Sequence, residues 1–132
     1  MKKELEDKLV KKYPEALSEH GGDMRKTCMA WGFECGDGWY KIMEEVCEKV
    51  GNIPGFKFSQ VKEKFGMLTI YYNGPDSEKD REIVREAIHE AEAKSRVTCE
   101  ICGERAKMNR DGGWLSVQCK TCKAISNARR NL

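Results

Sequence analysis

The sequence predicts an α+β chain, with helices packed on a short antiparallel β-hairpin and a small cysteine-rich finger after them. Three patterns predict it. Residues 39–50 and 77–96 carry apolar side chains at helical period, two β-rich runs lie between them, and the last third holds two Cys-x2-Cys pairs. The parts divide as a body over residues 1–96 and a finger over 97–132.

Residues 2–13 read as a short helix with Leu5, Leu9, Val10 and Tyr13 on one side. Pro14 stops it or starts a further turn, and Gly21-Gly22 breaks the chain again. Residues 24–36 show no clean period and read as ordered loop. The next helix is the clearest: Trp39, Ile42, Met43, Val46, Cys47 and Val50 form one apolar stripe, with Asp37 placed to cap its start and Gly51 its end. After Pro54-Gly55, residues 56–62 and 67–72 form a hairpin joined near Gly66 and ended by Asn73-Gly74-Pro75. Ser77 and Asp80 resemble a capping box for a helix running to about Arg96, whose buried stripe is Ile83, Val84, Ala87, Ile88, Ala91 and Ser95. The hairpin alone would be marginal, and two amphipathic helices on one of its faces would stabilise it.

Charge narrows the function classes only a little. The formal net charge of +2 implies no nucleic-acid partner by itself. Residues 97–132 carry seven Lys/Arg against three Asp/Glu, so a weakly basic tail follows a weakly acidic body. No apolar segment marks a signal peptide or a membrane span. Seven cysteines, an odd number, then favour a reducing, cytoplasmic compartment, with thiols or metal ligands rather than disulfides.

Cys99, Cys102, Cys119 and Cys122 match a structural zinc site in ligand type and spacing. Cysteines three apart can turn both sulfurs toward one point about 2.3 Å away, and two such turns close a tetrahedron around one Zn²⁺. Ala106–Arg110 and Trp114–Gln118 flank Asp111-Gly112-Gly113, which places a second hairpin between the pairs, and a short helix can follow Cys122. Knuckle, hairpin and helix in that order resemble a treble-clef zinc finger; a plain zinc ribbon is the alternative. Redox dithiols would want a thioredoxin-like βαβ context, which is missing. Four cysteines close the metal's shell, and the histidines are His20 and His89 with none on the finger hairpin, so no catalytic role is expected.

Other residues admit two readings each. Trp31, Phe33, Asp37 and Trp39, in a loop with three glycines, could build a ligand pocket at residues 30–40, but packing and capping explain the same residue types. Cys28, Cys35, Cys47 and His20 could form a second metal site, against which Cys47 lies on an apolar stripe. His89 falls on the charged side of its helix and reads as solvated. Lys107, Arg110, Lys120, Lys123, Arg129 and Arg130 could form a basic face, with Trp114 free to stack; an ordinary solvated surface is the alternative. Lys57, Lys62 and Lys64 contribute only if they share that face.

Several blocks together resemble a group of small bacterial and phage-encoded proteins. They are Gly32-Phe33-Glu34-Cys35-Gly36-Asp37-Gly38-Trp39-Tyr40, Gln60-Val61-Lys62-Glu63-Lys64-Phe65-Gly66 leading to Tyr71-Tyr72, Ala91–Ser95 before Cys-x2-Cys-Gly, and Gly112-Gly113-Trp114. The resemblance runs from about residue 30 onward. It implies a phage or prophage origin and a zinc-finger tail, and supplies no mechanism. Similar proteins often end the finger with a Cys/His pair where this chain has Cys119 and Cys122. The expectation is a non-enzymatic zinc protein whose finger touches nucleic acid. The alternatives are a protein-directed inhibitor or adaptor acting on a host protein, and a small-molecule binder at loop 30–40.

Overall fold

A computed structural model describes residues 1–130; for Asp111 and Arg130 the description covers backbone alone. The chain runs α1 (Lys3–Lys12), β1 (Phe33–Glu34), α2 (Tyr40–Val50), β2 (Lys57–Lys64), β3 (Met67–Asn73), α3 (Glu78–Ser95), β4 (Lys107–Asp111), β5 (Trp114–Gln118) and α4 (Lys120–Arg130). No helix among the described residues is long and apolar enough to cross a membrane.

The body is a three-stranded sheet in the order β1-β2-β3, with helices packed on one face. The hairpin β2–β3 is closed by Phe65 (φ 53°) and Gly66 (φ 80°), a two-residue turn with both residues left-handed, which matches the twist of the paired strands. Phe58, Val61, Leu68 and Ile70 point to the core and meet Met43, Val46 and Val50 of α2 and Val84, Ala87, Ile88 and Ala91 of α3. Ser77 caps α3 by accepting the Asp80 amide. At its other end Ser95, fully buried, accepts the Leu68 amide at 3.0 Å and donates to the Glu92 carbonyl at 2.7 Å. A buried hydroxyl with both bonds made locks the helix end onto β3.

Three expectations need correction. Residues 24–36 are not all loop: Phe33–Glu34 is a strand pairing parallel to Val61–Lys62. Its position comes from α1, where the buried Glu6 carboxylate accepts the Phe33 amide at 2.8 Å and pairs with His20 Nε2 at 2.7 Å. The terminal amino group of Met1 completes the clamp on the Phe33 and Cys35 carbonyls. Second, Asp37 does not cap α2. Its carboxylate accepts the Lys2 amide at 2.7 Å, and α2 grows instead out of a 3₁₀ turn over Asp37–Trp39. Third, Ile83 is exposed, so the stripe of α3 begins at Val84.

A second, much smaller apolar cluster sits in the finger: Cys99, Ala106 and Val117, with Met108, Cys119 and Cys122 against it. Three of its six members are the proposed metal ligands, so sulfur rather than hydrocarbon closes this core.

Candidate metal centre

Each cysteine pair is held by its own backbone geometry. In the first, Cys99 donates to Glu104 O at 2.6 Å and Gly103 to Cys99 O at 2.9 Å, and Gly103 takes the left-handed conformation (φ 85°) that such a turn requires. Glu100 N to Val117 O at 2.9 Å fastens this knuckle to β5. In the second, Cys119 immediately precedes α4 and Cys122 lies in its first turn. Cys119 Sγ accepts the Cys122 amide at 3.4 Å, the bond a serine or aspartate cap would make. The helix N-terminus favours thiolate there.

The hairpin brings the two turns together. The four Sγ atoms all lie within 4.8 Å of one another. Cys102 and Cys119 are 3.7 Å apart, and sulfurs about 2.3 Å from a tetrahedral ion stand about 3.8 Å from each other. All seven cysteines are free thiols. The four can hold a metal ion.

Electrostatics point the same way. Burial opposes ionisation of Cys99, but hydrogen bonds from the amides of Cys119, Cys102 and Ile101 outweigh it and bring the thiol down to about 7. Cys122 is pushed up, first by desolvation and then by the sulfurs of Cys119, Cys102 and Cys99. One charge is thus favoured and four together are not, which a divalent cation at the centre would reverse. The Cys99 contribution is complete above the ordinary thiol value of 9.0 and fades as pH falls through about 7, so acid works against the site.

The knuckle is also the anchor between finger and body. Gly38 donates to Glu100 O at 2.8 Å, Gly36 to the Glu100 carboxylate at 2.9 Å, and the Trp39 indole to Thr98 O at 2.9 Å. A Cβ on Gly38 would lie 2.1 Å from Cys99 O, and one on Gly36 2.3 Å from Glu100 O. The glycines therefore admit the chain's own cysteine knuckle. Burial raises the Glu100 carboxyl, and the Gly36 amide only partly offsets it. Trp39→Phe keeps most of the buried ring and leaves Thr98 O without its indole donor. Denaturant unfolding is expected to show a loss of about 1–2 kcal/mol.

Of the two readings of residues 30–40, this geometry gives no shared pocket. Phe33 and Trp39 are core, Asp37 is tied to Lys2, and Trp31 stands exposed, so the four line no common cavity. The second metal site does not assemble either. Cys28 is exposed, burial pushes the Cys35 and Cys47 thiols up to about 12, and His20 is bound to Glu6. The described residues contain no other cluster of three or more potential metal ligands. His89 is exposed.

The expected basic face is divided by strand alternation. Lys107 and Asn109 of β4 face α4 and, with Lys120 and Lys123, line a groove of about 720 Å³. Arg105, Gln118 and Asn127, which sequence reasoning missed, line it too. Gln118 Oε1, buried in its wall, has no hydrogen-bond partner among the described residues. Arg110 lies on the opposite side of the hairpin, beside Lys64 and Arg96. Trp114 is exposed at the start of β5, and Arg129 is exposed on α4 outside the groove. The Arg130 side chain lies outside the described residues.

No protein-family model, no curated protein and no solved structure matches this chain, so its site is read from geometry alone.

Proposed function

We propose that this chain is a non-enzymatic, cytoplasmic zinc protein whose finger binds nucleic acid. The observation that carries this reading is the groove between the β4–β5 hairpin and α4, where Arg105, Lys107, Lys120 and Lys123 converge and no carboxylate among the described residues intrudes. Such a groove suits a phosphate backbone, whose contacts position a ligand without reading its sequence. Arg105, Lys107 and Lys120 take part in none of the ion pairs among the described residues, so their charge is available to a polyanion.

Zinc is the proposed ion because four thiolates in a closed tetrahedral shell are its usual structural site. The second pair in the first turn of α4, after knuckle and hairpin, supports a treble clef over a ribbon. A closed shell, with His20 engaged by Glu6 and His89 lacking a nucleophile beside it, supports a binding role over catalysis. A phage or prophage accessory role agrees with the resemblance above. The protein-directed alternative loses one of its two contact tryptophans, because Trp39 is buried and Trp31 alone is exposed.

Titration of a labelled oligonucleotide at several salt concentrations tests the reading. Affinity should fall steeply and linearly on logarithmic axes. Lys107→Ala combined with Lys120→Ala should lower that slope by about 2, close to one per phosphate contact removed. A chain that binds neither duplex nor single strand at low salt has some other partner.

A further inference from the structure

The outward face of the sheet leads into the back of the finger hairpin. Register places Lys62 opposite Thr69, Gln60 opposite Tyr71 and Lys64 opposite Met67. These alternate with Phe58, Val61, Leu68 and Ile70, which turn to the core. Lys64, Phe65 and Tyr71 then share one depression of about 660 Å³ with Arg96 of the body and Met108 and Arg110 of β4.

Two features of this depression have no explanation in folding. Phe65 is 72% exposed yet occupies the first position of the hairpin turn at φ 53°. That position favours Asn, Asp or Gly, and a bulky side chain there is strained without burial to offset it. Tyr71 is likewise 42% exposed, on the outward face of the edge strand β3. The charges are the second feature. Lys64, Arg96 and Arg110 in the depression, and Lys62 next to it on β2, join none of the ion pairs among the described residues, whereas Lys49, Arg81, Arg85 and Lys94 on the helical side are all paired. Lys62 Nζ stands 6.0 Å from the Tyr71 ring and Lys64 Nζ 6.0 Å from the Phe65 ring, and Arg96 lies against Met67 Sδ at 3.2 Å. Among the described residues no carboxylate lines the depression; the acids near it are Glu34, at the β1 edge beside Lys62, Glu19, which shares a neighbouring depression with Gln60 and Tyr71, and Glu63, which accepts the Gly66 amide at 3.4 Å.

We propose that this face is a platform for single-stranded nucleic acid, with bases stacking on Phe65 and Tyr71 and phosphates meeting Lys62, Lys64, Arg96 and Arg110. Exposed rings interleaved with unpaired cations are what an unstacked strand requires; a duplex offers its phosphates but withholds its base faces. The inference takes the ligand's class from the nucleic-acid reading above and adds its form and the face it uses. It lies on the side of the β4–β5 hairpin away from the groove, so substitutions can separate the two surfaces.

The test uses the metal-loaded full chain, a fluorescein-labelled oligodeoxythymidine of about 12 nucleotides and a duplex of the same length, followed by anisotropy at low salt. The single strand should bind more tightly than the duplex. Tyr71→Ala and Phe65→Ala should each weaken single-strand binding about tenfold, while Tyr71→Phe keeps wild-type affinity. Unchanged metal content and melting temperature show that each variant is folded, as expected for exposed side chains. Wild-type affinity in Tyr71→Ala, preference for the duplex, or displacement of the oligonucleotide by polyglutamate as readily as by unlabelled strand would overturn the platform. If Lys107→Ala with Lys120→Ala abolishes binding while Tyr71→Ala leaves it intact, the groove reading stands and the platform falls. Absence of binding by either oligonucleotide removes both.

Discussion

Replacing Gly38 by alanine should release the finger from the body and lower stability by about 3 kcal/mol or more. The sign needs argument, because the same change is often stabilising. Gly38 is not among the residues with positive φ. An alanine there is conformationally acceptable and, through the unfolded chain, would add about 0.4–1 kcal/mol. The close approach decides otherwise. The new Cβ would stand 2.1 Å from Cys99 O, 2.6 Å from the Glu100 carbonyl carbon and 2.6 Å from Gly103 N. All three are backbone atoms of the cysteine knuckle, so no side chain can swing aside. Relief requires the knuckle and the start of α2 to part, which breaks the Gly38–Glu100 bond and strains the Trp39–Thr98 bond beside it. Thermal unfolding followed by near-UV dichroism measures the loss. Gly112→Ala is the contrast: its φ of 58° disfavours a side chain, but nothing lies within 4 Å, so only the backbone strain of about 1–2 kcal/mol remains. Equal effects at the two positions would mean that the knuckle does not bear on the body as described.

Cys119→Ser should be the most damaging single substitution in the finger. Serine preserves the cap, since its hydroxyl can still accept the Cys122 amide as the sulfur does at 3.4 Å. What it removes is one of four ligands. The finger's own apolar cluster has three fully buried or nearly buried members, Cys99, Ala106 and Val117, too few to hold a hairpin and a helix. Metal binding in small fingers supplies about 10–16 kcal/mol of apparent folding energy, so losing it should melt residues 97–130. The body keeps its separate core, from Leu9 to Ala91, and should remain folded at a lower melting temperature because Gly36, Gly38 and Trp39 lose their partners. Backbone amide exchange would resolve the two parts: rapid exchange throughout α4 and β4–β5, with protection retained in α2, α3 and β2–β3.

Legibility from sequence followed the range of the interactions involved. α2, α3 and the β2–β3 hairpin repeat their apolar residues at a local period, and the Cys-x2-Cys pairs carry their geometry in their spacing. All four were readable without tertiary knowledge. β1 was not, because two residues have no period; it exists because Glu6, 27 residues earlier, accepts the Phe33 amide. The glycine-rich loop was half-readable. Gly36 and Gly38 announce a close approach, but only the fold identifies the approaching chain as Cys99–Gly103. The same holds for Asp37, whose residue type suits a cap and whose actual partner is Lys2. The divided basic surface could have been found earlier: period two along β4 separates Lys107 and Asn109 from Met108 and Arg110.

The central claim is that four sulfurs surround one ion and thereby order the finger and its seat on the body. Elemental analysis of tag-free protein, paired with an amide spectrum before and after chelation, tests it most directly. The account predicts one zinc per chain, and chelation that collapses the signals of residues 97–130 into the narrow range of an unfolded chain and shifts those of Gly36 and Gly38. A chain without transition metal whose finger signals stay sharp and unmoved by chelator would contradict it.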